Sequence, residues 1–102
     1  MKMIMQVQLP VEPFNTAVRD GSVGEKMRRI LDDIKPEAAY FTEIDGHRGA
    51  ILVVNLASPS DVPRLAEPWF LEFDAKVEFR ITMTAEDLAK AHLDVLGKKW
   101  AS

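Results

Sequence analysis

The chain contains no cysteine, which excludes disulfides, zinc–thiolate centres and thiol nucleophiles from the outset. It has no basic run, and 13 Lys and Arg against 16 Asp and Glu leave a net charge of −3. That balance argues against nucleic acid as the main partner. Long apolar stretches are missing too. The longest, Ala50 to Val54, falls far short of the ~20 residues that span a bilayer, so no membrane partner is expected. The opening MKMIMQVQLP is interrupted by Gln6 and Gln8 and has no signal-peptide core, so a cytoplasmic protein is expected. Nucleotide-binding glycine loops, HExxH and GxSxG are absent, and neither a cofactor nor a metal is expected. Gly21 and Gly24 in GSVGEK read as helix punctuation, because no strand feeds directly into them.

What is present is an ordinary globular composition, 47% apolar and 28% charged, in 102 residues. That length makes one domain, residues 1–102. A monomer this small buries only about two-thirds of its unfolded surface, so association would add useful burial.

Met3, Met5, Val7 and Leu9 alternate with polar or outward residues, which is strand periodicity, and Pro10 ends it. Phe14 to Asp20 has room for a turn or two of helix. Ser22 and Glu25 have capping-box spacing ahead of Val23, Met27, Ile30, Leu31 and Ile34, one apolar helical stripe. Pro36 closes it. Ala38 to Ile44 and His47 to Leu56 read as strands joined by Asp45-Gly46, the two-residue loop of a type I′ hairpin. Ser58 or Ser60 can cap a helix carrying Val62, Leu65, Ala66, Trp69 and Phe70 on one face, with Pro68 expected to kink or end it. Ala75, Val77, Phe79, Ile81 and Met83 alternate as a fourth strand, and Thr84 caps a last helix. The order is β-α-β-β-α-β plus a C-terminal helix, an α+β fold of the ferredoxin-like, split βαβ kind. Two helices should cover one face of a four-stranded antiparallel sheet.

The turn also sets a register: Ile44 opposite His47, Glu43 opposite Arg48, Phe41 opposite Ala50. With Phe41, Leu52 and Val54 assigned to the helices, the open face presents Ile4, Gln6, Gln8, Tyr40, Thr42, His47, Ile51, Val53, Glu78 and Arg80. Such an apolar face calls for a cover, most simply a second copy packed sheet to sheet about a two-fold axis.

The motif Asp45-Gly46-His47-Arg48 invites a catalytic reading, with His47 as base and Arg48 as anion binder. Adjacent strand residues point to opposite faces, so the two should not act on one substrate. A hairpin tip, with Arg48 paired to Glu43 across the strands, is the simpler reading. Gln6, Gln8, Tyr40, Thr42, His47, Glu78 and Arg80 are the candidate ligand-binding residues. Their amides and charges could hold the polar end of a molecule, or could pair across a dimer interface. Trp69 and Phe70 fit core packing better than a gate, and His92 is a lone helical histidine with no second ligand.

In topology, residues 2 to 84 resemble the dimeric α/β-barrel superfamily, which includes muconolactone isomerases and antibiotic-biosynthesis-type monooxygenases. The stretches ILDDIKPEAAYFTEIDGHRGAILVVNL and RLAEPWFLEFDAKVEFRITMTAEDLAKA look like a family of small bacterial proteins without an assigned activity. The resemblance implies a homodimeric barrel with a cavity between sheets and helices for a small, mostly apolar organic molecule. Cofactor-independent isomerisation or monooxygenation are the activities it suggests. No catalytic motif of an enzymatic branch carries over. A non-catalytic dimerisation module without a ligand is the alternative.

Overall fold

A computed structural model describes residues 1–102. Strand β1 (Lys2–Leu9) buries every second residue, Met3, Met5, Val7 and Leu9, and so lies at the centre of the structure. It is flanked by β3 (His47–Asn55) and β4 (Lys76–Ile81), and β2 (Ala38–Ile44) completes the order β2-β3-β1-β4. All three pairings are antiparallel. Helices α1 (Val11–Asp20) and α2 (Val23–Ile34) connect β1 to β2, and α3 (Asp61–Phe73) connects β3 to β4. The chain ends in two short helices, α4 (Ala85–Lys90) and α5 (Leu93–Lys99). The result is α+β with an open antiparallel sheet, and its element order is compatible with the split βαβ arrangement.

The core lies between the sheet and α1–α3. Met5, Val7, Leu52, Trp69 and Phe73 are completely or almost completely enclosed. Phe73 stacks at a tilt on both Phe14 (ring centroids 5.2 Å apart) and Trp69 (6.5 Å). Trp69 contributes area alone, because its Nε1 has no hydrogen-bond partner.

The hairpin register is as the turn dictates: Ile44 opposite His47, Glu43 opposite Arg48, Phe41 opposite Ala50. Asp45 (φ 51°) and Gly46 (φ 77°) both adopt positive φ, as a type I′ turn requires. Ala50, Leu52 and Val54 face the helices and are buried, which places Ile51 and Val53 on the open side. Gly49 serves a close approach. The Ile44 side chain lies across it, and a Cβ there would come within 2.5 Å of Ile44 Cδ1.

Several local expectations are corrected. Ser22 makes no capping bond, because its own backbone is already helical (φ −83°, ψ −11°) and the Glu25 carboxylate is taken by Arg28 at 2.7 Å. Pro68 does not end α3, which continues to Phe73. Burial of Trp69 and Phe73 beyond the proline offsets the lost backbone bond. The serine before α3 does not cap it either; Asp61 instead accepts from the Ala57 and Ser58 amides. Thr84 does cap, in a full capping box with Asp87, but the last helix is broken at His92, whose φ of 52° is left-handed. His92 therefore precedes α5 and lies in no helix. The helical layer is narrower than the sheet. Phe41 and Ile81 point to the helix side by register, yet both are exposed, because no helix packs extensively over the outer strand β2 or the end of β4.

No helix is long and apolar enough to cross a membrane.

Candidate functional site

The open face is read most easily as rows across the strands. One row runs Tyr40, Ile51, Gln6, Glu78 and the next runs Ala38, Val53, Ile4, Arg80. Ile4, Ile51 and Val53 thus form an apolar centre, with Ile44 folded over Gly49 at one end. None of these four side chains is fully enclosed, because nothing in the chain lies above them.

Two polar clusters bracket that centre. In the first, the Arg80 guanidinium donates to Glu78 Oε2 at 3.3 Å and to Gln6 Oε1 at 3.4 Å. Lys76 approaches the other Glu78 oxygen at 3.8 Å, so the carboxylate sits between two cations. In the second, Gln8 Nε2 lies 3.3 Å from His47 Nδ1, which is also 3.2 Å from the Asp45 carbonyl oxygen. These two contacts require opposite states of Nδ1. A bare nitrogen accepts from Gln8, whereas a protonated one donates to the turn. The ring's tautomer therefore decides whether His47 is tied to the sheet or to its own hairpin. Asp45 touches the histidine through its backbone alone, so no carboxylate orients the ring as it would in a catalytic dyad.

Five of the seven candidate side chains are therefore in contact within two groups, Gln6–Glu78–Arg80 and Gln8–His47. Thr42 stands opposite Gly49, which separates it from Gln8. Tyr40 is 66% exposed at the sheet edge and joins neither group.

His47 and Arg48 diverge, as strand geometry demands. The expected Arg48–Glu43 pair does not form. Arg48, on the helix side by register, donates to Asn15 Oδ1 at 2.7 Å with its guanidinium 4.7 Å from the centre of the Phe14 ring. An aromatic face and an amide on α1 out-compete an exposed carboxylate that is already accepting from the Gly46 amide at 2.8 Å.

A third polar group was missed by sequence reasoning. At the far end of the open face, Glu37 accepts from Asn55 and pairs with Lys2 at 3.1 Å. These hydrogen bonds, Asn55 first and Lys2 second, hold its carboxyl below the usual range. Extending the strand alternation would have found Lys2 and Asn55, which share the open side. Glu37 precedes β2, and nothing in the pattern marked it.

A groove of about 510 Å³ under the hairpin tip is lined by Leu9, Phe14, Met27 and Phe41 with Thr42, His47 and Arg48 at its rim. A wider groove of about 870 Å³ separates α2 from α3. Its rim carries Lys26, Arg29 and Arg64 against Asp32, Asp33, Glu67 and Glu72, so it presents charges of both signs. The region between sheet and helices holds the packed side chains of the core. No group of three or more His, Asp or Glu gathers in a way that could hold a metal ion. The chain matches no protein-family model and no curated protein.

Proposed function

We propose that the chain works as a homodimer joined through the open sheet face, and that a small, mostly apolar organic molecule is held between the two sheets. The observation that carries this reading is the layout of the face: an apolar centre of Ile4, Ile51 and Val53 between an Arg80–Glu78–Gln6 cluster and a His47–Gln8 pair. Apolar walls with a few convergent polar groups are what binding sites for small organic molecules require. Covering the face would desolvate both clusters, which strengthens their hold on a ligand carboxylate, carbonyl or phenol. A second copy would turn the sheet pair into the barrel that the sequence resemblance implies. Cofactor-independent isomerisation or monooxygenation fits such a chamber, with His47 as the only open-face imidazole available to move a proton.

One observation favours a second reading. The space between sheet and helices is filled by Met5, Leu52, Trp69 and Phe73, so any chamber has to lie between the sheets of two chains. If those sheets close tightly on each other, the face is a dimerisation surface and nothing more. A thermal-shift screen of aromatic acids and quinones separates the two. Stabilisation by one class, abolished in Arg80→Ala or His47→Ala dimers, supports ligand binding. No stabilisation by any compound, with dimerisation intact, supports the interaction module.

A further inference from the structure

The C-terminal arm is the least accounted-for part of the molecule. Thr82 Oγ1 donates to the Lys2 carbonyl at 2.8 Å, and beyond that tie every hydrogen bond and ion pair of the arm is local. Neither α4 nor α5 buries a residue, although Leu93, Leu96 and Trp100 recur at i, i+3 and i+7 as one apolar stripe. The molecule is correspondingly long, 60 × 29 × 20 Å, with a radius of gyration of 17.6 Å where a compact chain of this length has about 13 Å.

Its surface gives the scale of what is missing. The accessible area is 6950 Å², whereas a folded monomer of 11.5 kDa exposes roughly 5,800 Å². The excess, about 1,100 Å², exceeds the roughly 800 Å² that each partner buries in a stable complex of standard size. Two unpartnered apolar surfaces thus sit on one chain, the arm and the outer strand β2. No residue of β2 is buried, and Tyr40 and Phe41 project from its two sides.

We propose that the arm is exchanged between two copies: α5 of one chain packs its Leu93–Leu96–Trp100 stripe along β2 of the other, against Tyr40. The topology makes this placement natural. β4, which launches the arm, and β2 are opposite edges of the sheet. Ile81, at the end of β4, lies at the same end of the sheet as Ala38, where β2 begins, since Ile81 pairs with Met3 and Ala38 with Val53 beside Ile4. A two-fold axis running along the strands between two facing sheets stacks each β4 over the partner's β2 and keeps those ends together. Each arm then leaves its own sheet beside the bare β2 of the partner. The exchange rests on the face-to-face dimer proposed above and closes the side of the chamber nearest Tyr40.

The two tryptophans provide the test, because Trp69 is fully enclosed while Trp100 is 75% exposed in a single chain. Acrylamide quenching of the full-length protein is expected to fall several-fold as concentration rises through the dimerisation range. Trp100→Phe should abolish that change. Because the chain lacks cysteine, Tyr40→Cys and Leu96→Cys variants can be mixed under oxidising conditions, where a covalent heterodimer is expected. Leu96→Asp should weaken the dimer at least tenfold without altering the circular dichroism of the monomer. A dimer whose Trp100 stays freely quenched overturns arm exchange and leaves the sheet dimer standing. A monomer at all concentrations overturns both, and a monomer with a protected Trp100 shows the arm folded on its own chain instead.

Discussion

The two faces of the sheet are made by the same four strands, and they could hardly differ more in how they end. On one, Met5, Val7, Leu52 and Val54 lie under α1–α3 with essentially no exposed surface. On the other, Ile4, Ile51 and Val53 are only half-buried and are ringed by amides and charges. Neighbouring residues of one strand therefore belong to different problems. The helix face is covered within the chain over its centre and stays open only at its margins, at Phe41 and Ile81. The open face carries apolar residues at positions where a surface facing water would carry polar ones, and most of its polar groups are already hydrogen-bonded to one another. The lesson is that a strand's alternation here separates the residues that fold the chain from those that meet something else.

The sharpest way to break this contrast is to damage each face separately. Trp69→Ala removes the largest enclosed side chain and should cost about 3–5 kcal/mol. That loss should be the same at every protein concentration, because the cavity forms inside one chain; chemical denaturation over a hundredfold concentration range checks it. Ile51→Lys places a charge in the apolar centre of the open face. It should weaken the dimer by at least a hundredfold, about 2.7 kcal/mol by RT ln K, while isolated chains lose under ~1 kcal/mol, as exposed substitutions do. Sedimentation equilibrium together with denaturation of dilute protein separates those two effects. A stability loss on the scale of Trp69→Ala in dilute Ile51→Lys would mean that the open face is part of the core.

Gly49→Ala tests the open face from beneath. Its new Cβ would meet Ile44 Cδ1 and Cγ1 at 2.5 and 2.7 Å, so Ile44 must leave its seat. A loss of about 1–2 kcal/mol is expected, as in other overpacked sites. Gly49→Ala combined with Ile44→Ala should recover part of it. An additive double variant would show that the two side chains do not compete for one place.

The smallest effect sharpens the rim. Glu37 has its carboxyl held below the ordinary range by Asn55 and Lys2, so its folded-state pKa lies below its unfolded one. A depressed acid contributes stability above the unfolded value and loses it as pH falls through the folded value. Wild type and Glu37→Gln should therefore differ modestly at neutral pH and begin to converge as pH falls below about 4, the unfolded carboxylate range, toward the lower folded value. Thermal melts across pH 3 to 7 measure the difference. Divergence that grows toward acid would reverse the assignment.

Much of this organisation was readable in the residues. Asp45-Gly46 specified a type I′ turn, the turn specified the register, and the register sorted Leu52 from Ile51 and His47 from Arg48. Features set by tertiary competition were not readable. Glu43 was free to pair with Arg48 until the Gly46 amide and Phe14 each offered something better. Pro68 carried a local signal to stop a helix, and the burial of Trp69 and Phe73 overruled it. The breadth of the helical layer cannot be read from alternation, so Phe41 lies on the side of the sheet assigned to the helices and yet remains uncovered. The Gln8–His47 and Gln6–Glu78–Arg80 contacts needed the pairing of β1 with both neighbours, which hairpin logic alone does not supply. The break at His92 has no proline or glycine to announce it.

Sedimentation velocity of the chain at tens of micromolar decides whether the open face joins two copies. A two-fold dimer, dissociated by Ile51→Lys and left intact by a helix-face surface change such as Arg29→Ala, is the expected result. A monomer that sediments as an elongated particle of 11.5 kDa, with Ile4, Ile51 and Val53 open to solvent, would contradict it.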